Sequence, residues 1–287
     1  MEEEGLIATE AKVWLLAVYS LRLPRALLRE ISTYIGAAKL LMPLFSPSYM
    51  HLFDLQLSTS RRASIPRSLS NWSFCHISEI RVLCVGFGSR KDNVYSLRFS
   101  PLELARLPPM SLGRLSPGLV KVGRWVYVFG GSTEMDVPSS SSCERFDYKA
   151  VTWQLLPNML TAKARFQPCS YLAQVYLCCP ACNLEVFDTL SMTFSQINIC
   201  FQAYTSGSLS FLIGDTVHIL SSEKRLIRWK IGCETWSADT VHMESGLLAV
   251  SKCVVVVSAQ SVYWTAGDSE VIQLDLDKLS VREVTGN

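Results

Sequence analysis

Short, densely apolar runs recur along the chain, each bounded by turn-forming residues. "RVLCVGF" at 81–87, "WVYVFGG" at 125–131, "QVYLCC" at 174–179, "DTVHIL" at 215–220 and "KCVVVVS" at 252–258 are apolar at most positions. Runs of this length between Gly, Ser, Asp and Pro suit strands buried on both faces. Residues 124 to 157 show the unit in full. Trp125 to Phe129 reads as a strand, and Gly130-Gly131 lets the backbone leave it at angles that other residues resist. Ser139 to Ser142 is a loop, "CERFDY" resumes a strand, "DYKAVTW" turns a corner, and "WQLL" begins another strand before Pro157 ends it. The pattern is a run of short antiparallel strands.

Such a unit cannot bury both faces alone, and it recurs. The corner is marked by Phe146-Asp147 with Trp153 six residues after the acid. Phe187-Asp188 with Phe194 and Leu274-Asp275 with Val281 repeat it; Trp229-Lys230 with Trp236 keeps the spacing with a base, Leu97-Arg98 with Leu104 is a weaker copy, and Phe53-Asp54 begins a sixth with Ser60 in the third place. The polar slots at 54, 98, 147, 188, 230 and 275 lie 44, 49, 41, 42 and 45 residues apart. A period of 41 to 49 residues with about four strands per unit predicts a propeller and excludes the shorter helical repeats. Only "SPSYMHLFDL" precedes the first corner, so that blade reads as incomplete, short of strands and open to closure by the N-terminal segment.

These residues resemble the kelch-repeat β-propellers. The likeness is carried by "GRLSPGLVKVGRWVYVFGG", by Phe146-Asp147 with Trp153, and by "LLPNMLTAKARF", which is similar to the family's link between blades; "RLPPMSLGR" at 106–114 is a second copy. Elsewhere the period carries it more than the motif: "GFG" at 86–88 is partial, and Cys178-Cys179 and Ser221-Ser222 stand where a Gly-Gly is expected. The resemblance implies an all-β, kelch-type β-propeller over residues 46–287, with about six blade positions. It implies structural repeat roles for Gly130, Gly131, Asp147, Trp153, Asp188, Phe194, Trp236 and Asp275. It also implies protein partners held by loops, where Arg90, Lys91, Arg114, Glu134, Asp136 and Arg165 are the candidate contacts.

Residues 1–45 read differently, as a short α-helical N-terminal segment. In "LPRALLREISTYIG", Leu23, Leu27, Leu28, Ile31 and Ile35 share one helical face, Pro24 suits the first turn and Gly36 a C-terminal cap; Thr9 to Ser20 reads as a helix before it. Residues 21–36 are similar to the opening helix of F-box-like domains, which tether substrate receptors to ubiquitin ligases. Two readings stay open, a ligase-binding helix or a cap packed on the propeller. The cap is favoured because the eighteen positions from Gly36 to the Asp54 corner are too few for the remaining helices of a tethering fold.

The 287-residue chain is 49% hydrophobic and only 18% charged, enough apolar sequence for a large core and too little charge for long disordered tails. Twenty-seven Lys+Arg against twenty-five Asp+Glu leave +2, which points to neither nucleic acid nor an acidic partner. Ten cysteines in a chain of this size read as reduced, buried thiols. Val13 to Leu21 is too short to span a bilayer and follows Glu2, Glu3 and Glu4 instead of a basic leader, so a cytoplasmic location without membrane partner is expected.

No catalytic, cofactor or metal site is expected. His51, His76, His218 and His242 fall at unlike places in their blades, and the single C-x-x-C within "CCPAC" at 178–182 lacks a second pair. Asp54, Asp147, Asp188 and Asp275 repeat at one blade position, which suits acids accepting turn amides and not a catalytic pair. "GFGSRK" lacks phosphate-loop spacing, and Trp125, Trp153, Trp229 and Trp236 sit where core packing uses them. The leading expectation is a non-enzymatic protein-interaction module, with a ubiquitin-ligase adaptor as its finer form and a structural or cytoskeletal scaffold as the alternative.

Overall fold

A computed structural model describes residues 18–19, 41–45, 49–54, 59–64, 73–78, 81–86, 91–99, 102–133, 139–178, 184–197, 208–221, 224–243, 256–257, 261–266 and 270–283. They form six sheets that follow one another along the chain. The first contains β1 (Val18–Tyr19), β2 (Leu41–Phe45), β3 (Tyr49–Asp54) and β4 (Thr59–Ser64), and the second β5 (Ser73–Ser78), β6 (Arg81–Val85), β7 (Val94–Phe99) and β8 (Leu102–Leu107). The third is β9 (Gly118–Val122), β10 (Trp125–Phe129), β11 (Cys143–Asp147) and β12 (Thr152–Leu156), and the fourth β13 (Cys169–Tyr171), β14 (Gln174–Leu177), β15 (Leu184–Asp188) and β16 (Thr193–Ile197). The fifth is β17 (Ser208–Ile213), β18 (Thr216–Ser221), β19 (Arg225–Lys230) and β20 (Trp236–Thr240). In the sixth, β22 (Val256–Val257), β23 (Ser261–Ala266), β24 (Glu270–Asp275) and β25 (Ser280–Glu283) form the meander, and β21 (His242–Met243) adds to β25 in parallel.

The second to fifth sheets are antiparallel meanders, and their first strands meet: β5 lies against β9, β9 against β13 and β13 against β17. Side chains stitch these neighbours, with Ser73 Oγ donating to Pro117 O (3.4 Å) and Ser170 Oγ to Lys121 O (3.5 Å). The sheets are the blades of a β-propeller, and in the second to fifth the first strand lies inward and the fourth outward. The first blade takes its inner strand from the N-terminal segment, since β1 pairs in parallel with β2 through Val18↔Leu44 and Tyr19↔Phe45. Val18–Tyr19 and Leu41–Phe45 are therefore strands of a blade, where the sequence placed them in the helical segment. The remainder of the helices expected over 9–20 and 23–36 lies outside the described residues.

Why the second strands are apolar at most positions follows from the packing. A strand's side chains alternate between faces, and in a ring of blades both faces are interfaces. Val126 and Val128 point into a cluster shared with the second blade, beside Ile77, Leu83 and Val85. Tyr127 and Phe129 point the other way, into a cluster with Val175, Leu177 and Phe187 of the fourth blade. Tyr176 and Cys178 then meet Val217, Ile219 and Trp229 of the fifth, and Leu209, Phe211, Leu220 and Leu226 meet Val262, Ile272, Leu274 and Val281 of the sixth. Burying each large side chain of this kind contributes roughly 1.5–3 kcal/mol. The outer strands β12 and β16 touch a neighbour on one side only, and most of their residues are exposed or half-buried.

Candidate functional site

The loops gather at two ends of the blades. One end carries the connections from second to third strand and the links between blades. The other carries the turns from first to second strand and the corners from third to fourth.

At the corner end the repeated acids are occupied by backbone. Asp147 Oδ1 accepts the amides of Lys149 (2.9 Å) and Ala150 (3.1 Å), Asp188 Oδ1 those of Leu190 (2.8 Å) and Ser191 (2.9 Å), and Asp275 Oδ1 those of Asp277 (3.1 Å) and Lys278 (2.9 Å). The next residue turns left-handed each time, at Val151 (φ 59°), Met192 (φ 57°) and Leu279 (φ 51°). The amides of Ser191 and Leu190 hold the Asp188 carboxyl below the usual carboxylate range. Asp275 is lowered by the Lys278 amide and then by that residue's side chain. Lys230 offers no acceptor, and its corner is built with Gly232 (φ 86°) and a bond from Cys233 N to Lys230 O (3.0 Å).

The bulky residue after each corner faces the preceding blade. The Trp153 ring sits 4.9 Å from that of Phe146, and its Nε1 donates to Pro108 O (2.9 Å) on the link from the second blade. Phe194 lies 4.6 Å from Phe187 and 6.3 Å from Phe129 of the third blade. Trp236 occupies the same register opposite Trp229 but is 40% exposed, so the fifth blade uses it less as a wedge.

At the link end the chain crosses from an outer strand to the next inner strand, and its amides leave the sheet ladder. Glu144 receives them: Ser111 N donates at 2.8 Å and Leu112 N at 3.2 Å. A carboxylate with no exposed surface needs a counter-charge, and Arg114 supplies it through Nη2 at 3.0 Å. Its Nη1 also donates to Gly130 O (2.8 Å) and Ser142 O (2.7 Å). This corrects the expectation that Arg114 is a surface contact: it is 1% exposed and serves the blade junction. The next junction repeats the device, with Glu185 accepting from Leu160 N (3.0 Å) and from buried Lys163. Sequence reasoning passed over both acids, although "ERFD" and "EVFD" place each one three residues before its corner acid.

Gly130 (φ 60°) and Gly131 (φ 92°) complete the junction. Gly131 N donates to Lys163 O (2.8 Å), and a Cβ on Gly130 would fall 2.1 Å from that same oxygen. Of the remaining contact candidates, Lys91 is half-buried with Nζ donating to Thr133 O, tying two blades' loops together. Arg165 is exposed in a left-handed turn (φ 57°) fixed by its amide to Ser116 O (3.0 Å). Arg90, Glu134 and Asp136 lie outside the described residues.

His218 is buried, stacked on Phe211 (5.0 Å), and its Nδ1 lies 3.1 Å from Thr216 O; burial pushes its pKa down to about 4. Burial likewise pushes the thiols of Cys75, Cys143 and Cys169 up to about 12. Among the described residues no three His, Cys, Asp or Glu side chains are grouped to hold a metal ion, and no helix is long and apolar enough to cross a membrane.

The family model for the Kelch motif matches residues 113–160. The chain carries a kelch repeat. The match begins at the Arg114 link and ends past Met159, so this kelch unit spans the whole third blade with its double glycine, Glu144, Asp147 and Trp153. No curated protein matches the chain. The kelch repeat and the arrangement of the sheets together support a protein-interaction module.

Proposed function

We propose that this chain is a non-enzymatic protein-interaction module whose partner is held by the loops of the link end. One observation carries the reading: the repeated polar side chains are spent inside the fold. Asp147, Asp188 and Asp275 cap turns, and Glu144 and Glu185 clasp links. The loops they support differ from blade to blade, and a rigid scaffold presenting variable loops is suited to recognition. Lys91 and Arg165, with Arg90, Glu134 and Asp136 of the same loops, are the proposed contacts. Cross-linking the tagged full chain in cells, followed by mapping of linked residues, tests this: links should concentrate at residues 86–93, 130–142 and 157–168. Lys91→Glu with Arg165→Glu should release the partner at least tenfold without unfolding the chain, and retention of the partner would refute the assignment.

A ubiquitin-ligase adaptor is the finer form of the same proposal and rests on the resemblance of residues 21–36. Leu27→Asp with Ile31→Asp should then strip ligase subunits from the purified chain while leaving the link-end partner bound.

A further inference from the structure

The outer strand of the first blade carries a charge pattern met nowhere else in the chain. In "TSRRAS", residues 59–64, Arg61 and Arg62 stand three and two positions before Ser64. No other serine or threonine of the sequence has a Lys or Arg at both of those positions. Where a single arginine precedes a serine, the fold can withhold it: Arg114 stands two positions before Ser116 but is buried against Glu144.

Register places the motif on the blade. Thr59 pairs with the corner acid Asp54 as Thr152 pairs with Asp147 and Thr193 with Asp188. Counting on from those pairs, Arg61 and Arg62 take the places of Gln154 and Leu155 in the third blade and of Ser195 and Gln196 in the fourth, and all four of these are exposed. Ser64 takes the place of Pro157, exposed where the outer strand hands over to the link. β4 ends its sheet, with β3 on one side and no ladder partner on the other among the described residues. Its ladder runs to Ser64↔Tyr49, so only terminal pairs need part to free the serine. Successive strand residues fall on opposite faces, which puts Arg62 on the face of Ser64 and Arg61 on the other. Two cations divided in this way do not make one anion site. A groove that takes up the segment in extended form reads both, and protein kinases discriminate substrates by such charge patterns. Guanidinium forks match carboxylates, so the groove that reads them is lined with Asp or Glu.

We propose that Ser64 is a phosphorylation site for a protein kinase with an acidic substrate groove, which binds Arg61 and Arg62 and holds the strand end extended. Ser64 Oγ attacks the γ-phosphorus of ATP, the bond from that phosphorus to the β,γ-bridging oxygen breaks, ADP leaves, and the hydroxyl proton passes to the kinase's catalytic aspartate. The product carries about two negative charges at the link end of the first blade. The site does not depend on the interaction-module reading.

Incubating the folded full chain with ATP and the catalytic subunit of cyclic-AMP-dependent protein kinase, an enzyme of this class, tests it, with phosphate located by peptide mass spectrometry. The expected product is phosphorylated on Ser64, and Ser64→Ala abolishes the labelling. Arg61→Ala and Arg62→Ala should each lower kcat/KM for the chain by about tenfold or more, the scale of a lost charge-assisted bond, with the melting temperature unchanged. Arg62→Lys should keep more of the rate than Arg62→Ala. Labelling that appears only after urea unfolding overturns the proposal, because the strand end is then closed to the enzyme in the native chain. Phosphate on another serine at an equal rate overturns it too, as does a rate indifferent to both arginine changes.

Discussion

Replacing Glu144 by alanine tests the junction between the second and third blades directly. The carboxylate has no exposed surface and accepts three donors, Ser111 N, Leu112 N and Arg114 Nη2. Its loss leaves the Arg114 guanidinium buried and held only by Gly130 O and Ser142 O. Stranding one member of a buried ion pair costs about 3–5 kcal/mol. At roughly 2–4 °C per kcal/mol for a large domain, the melting temperature should fall on the order of 10 °C. The control is the double change Glu144→Leu with Arg114→Met, which removes the buried charge along with its partner. It should recover at least about 2 kcal/mol of the single loss, because an apolar pair of similar volume is often as stable as the ions it replaces. Urea unfolding of the four proteins of the cycle gives the coupling. A loss below about 1 kcal/mol for Glu144→Ala, or a double variant no better than the single, would falsify the claim that this pair is buried and holds the link.

Further outcomes follow from other positions. Trp153→Ala should destabilise by about 3 kcal/mol, since it empties the packing on Phe146 and loses the bond to Pro108 O, whereas Trp153→Phe should lose only about 1 kcal/mol; equal losses in urea titrations would misplace the ring. Gly130→Ala, which drives a Cβ to 2.1 Å from Lys163 O, should prevent folding or lower the melting temperature more than any single corner variant; a calorimetric scan like that of the unaltered chain rejects this. Leu172→Gly should raise stability by about 0.5–1 kcal/mol by relieving the left-handed leucine, and a lower urea midpoint contradicts it. His218 has a folded pKa near 4 against 6.5 for a free imidazole, so the unfolded chain binds the extra proton first. Its contribution is complete above pH 6.5 and is lost as pH falls toward 4, on the order of 3 kcal/mol in all. In His218→Phe the urea midpoint should drop less between pH 7 and pH 4.5, and an unchanged drop assigns it to other groups.

Period and pattern alone determined the architecture. Apolar runs short enough to be strands, recurring with a corner residue every 41 to 49 positions, leave few solutions other than blades around an axis. The corner acids were equally legible, because an Asp two residues before the amide it accepts is a local interaction that residue spacing records. What required the tertiary structure is everything that joins residues distant in the chain. Arg114 reads as a surface cation until folding sets it beside Glu144, thirty positions later, where the link's unpaired amides demand a buried acid and the acid demands a base. The double glycine reads as a turn, and only the approach of Lys163 O shows why a side chain is excluded there. Leu172 and Leu190 look like ordinary leucines of a β-rich chain; the fold decides that both stand in solvent, since exposure depends on which neighbours arrive and no single strand's pattern encodes that.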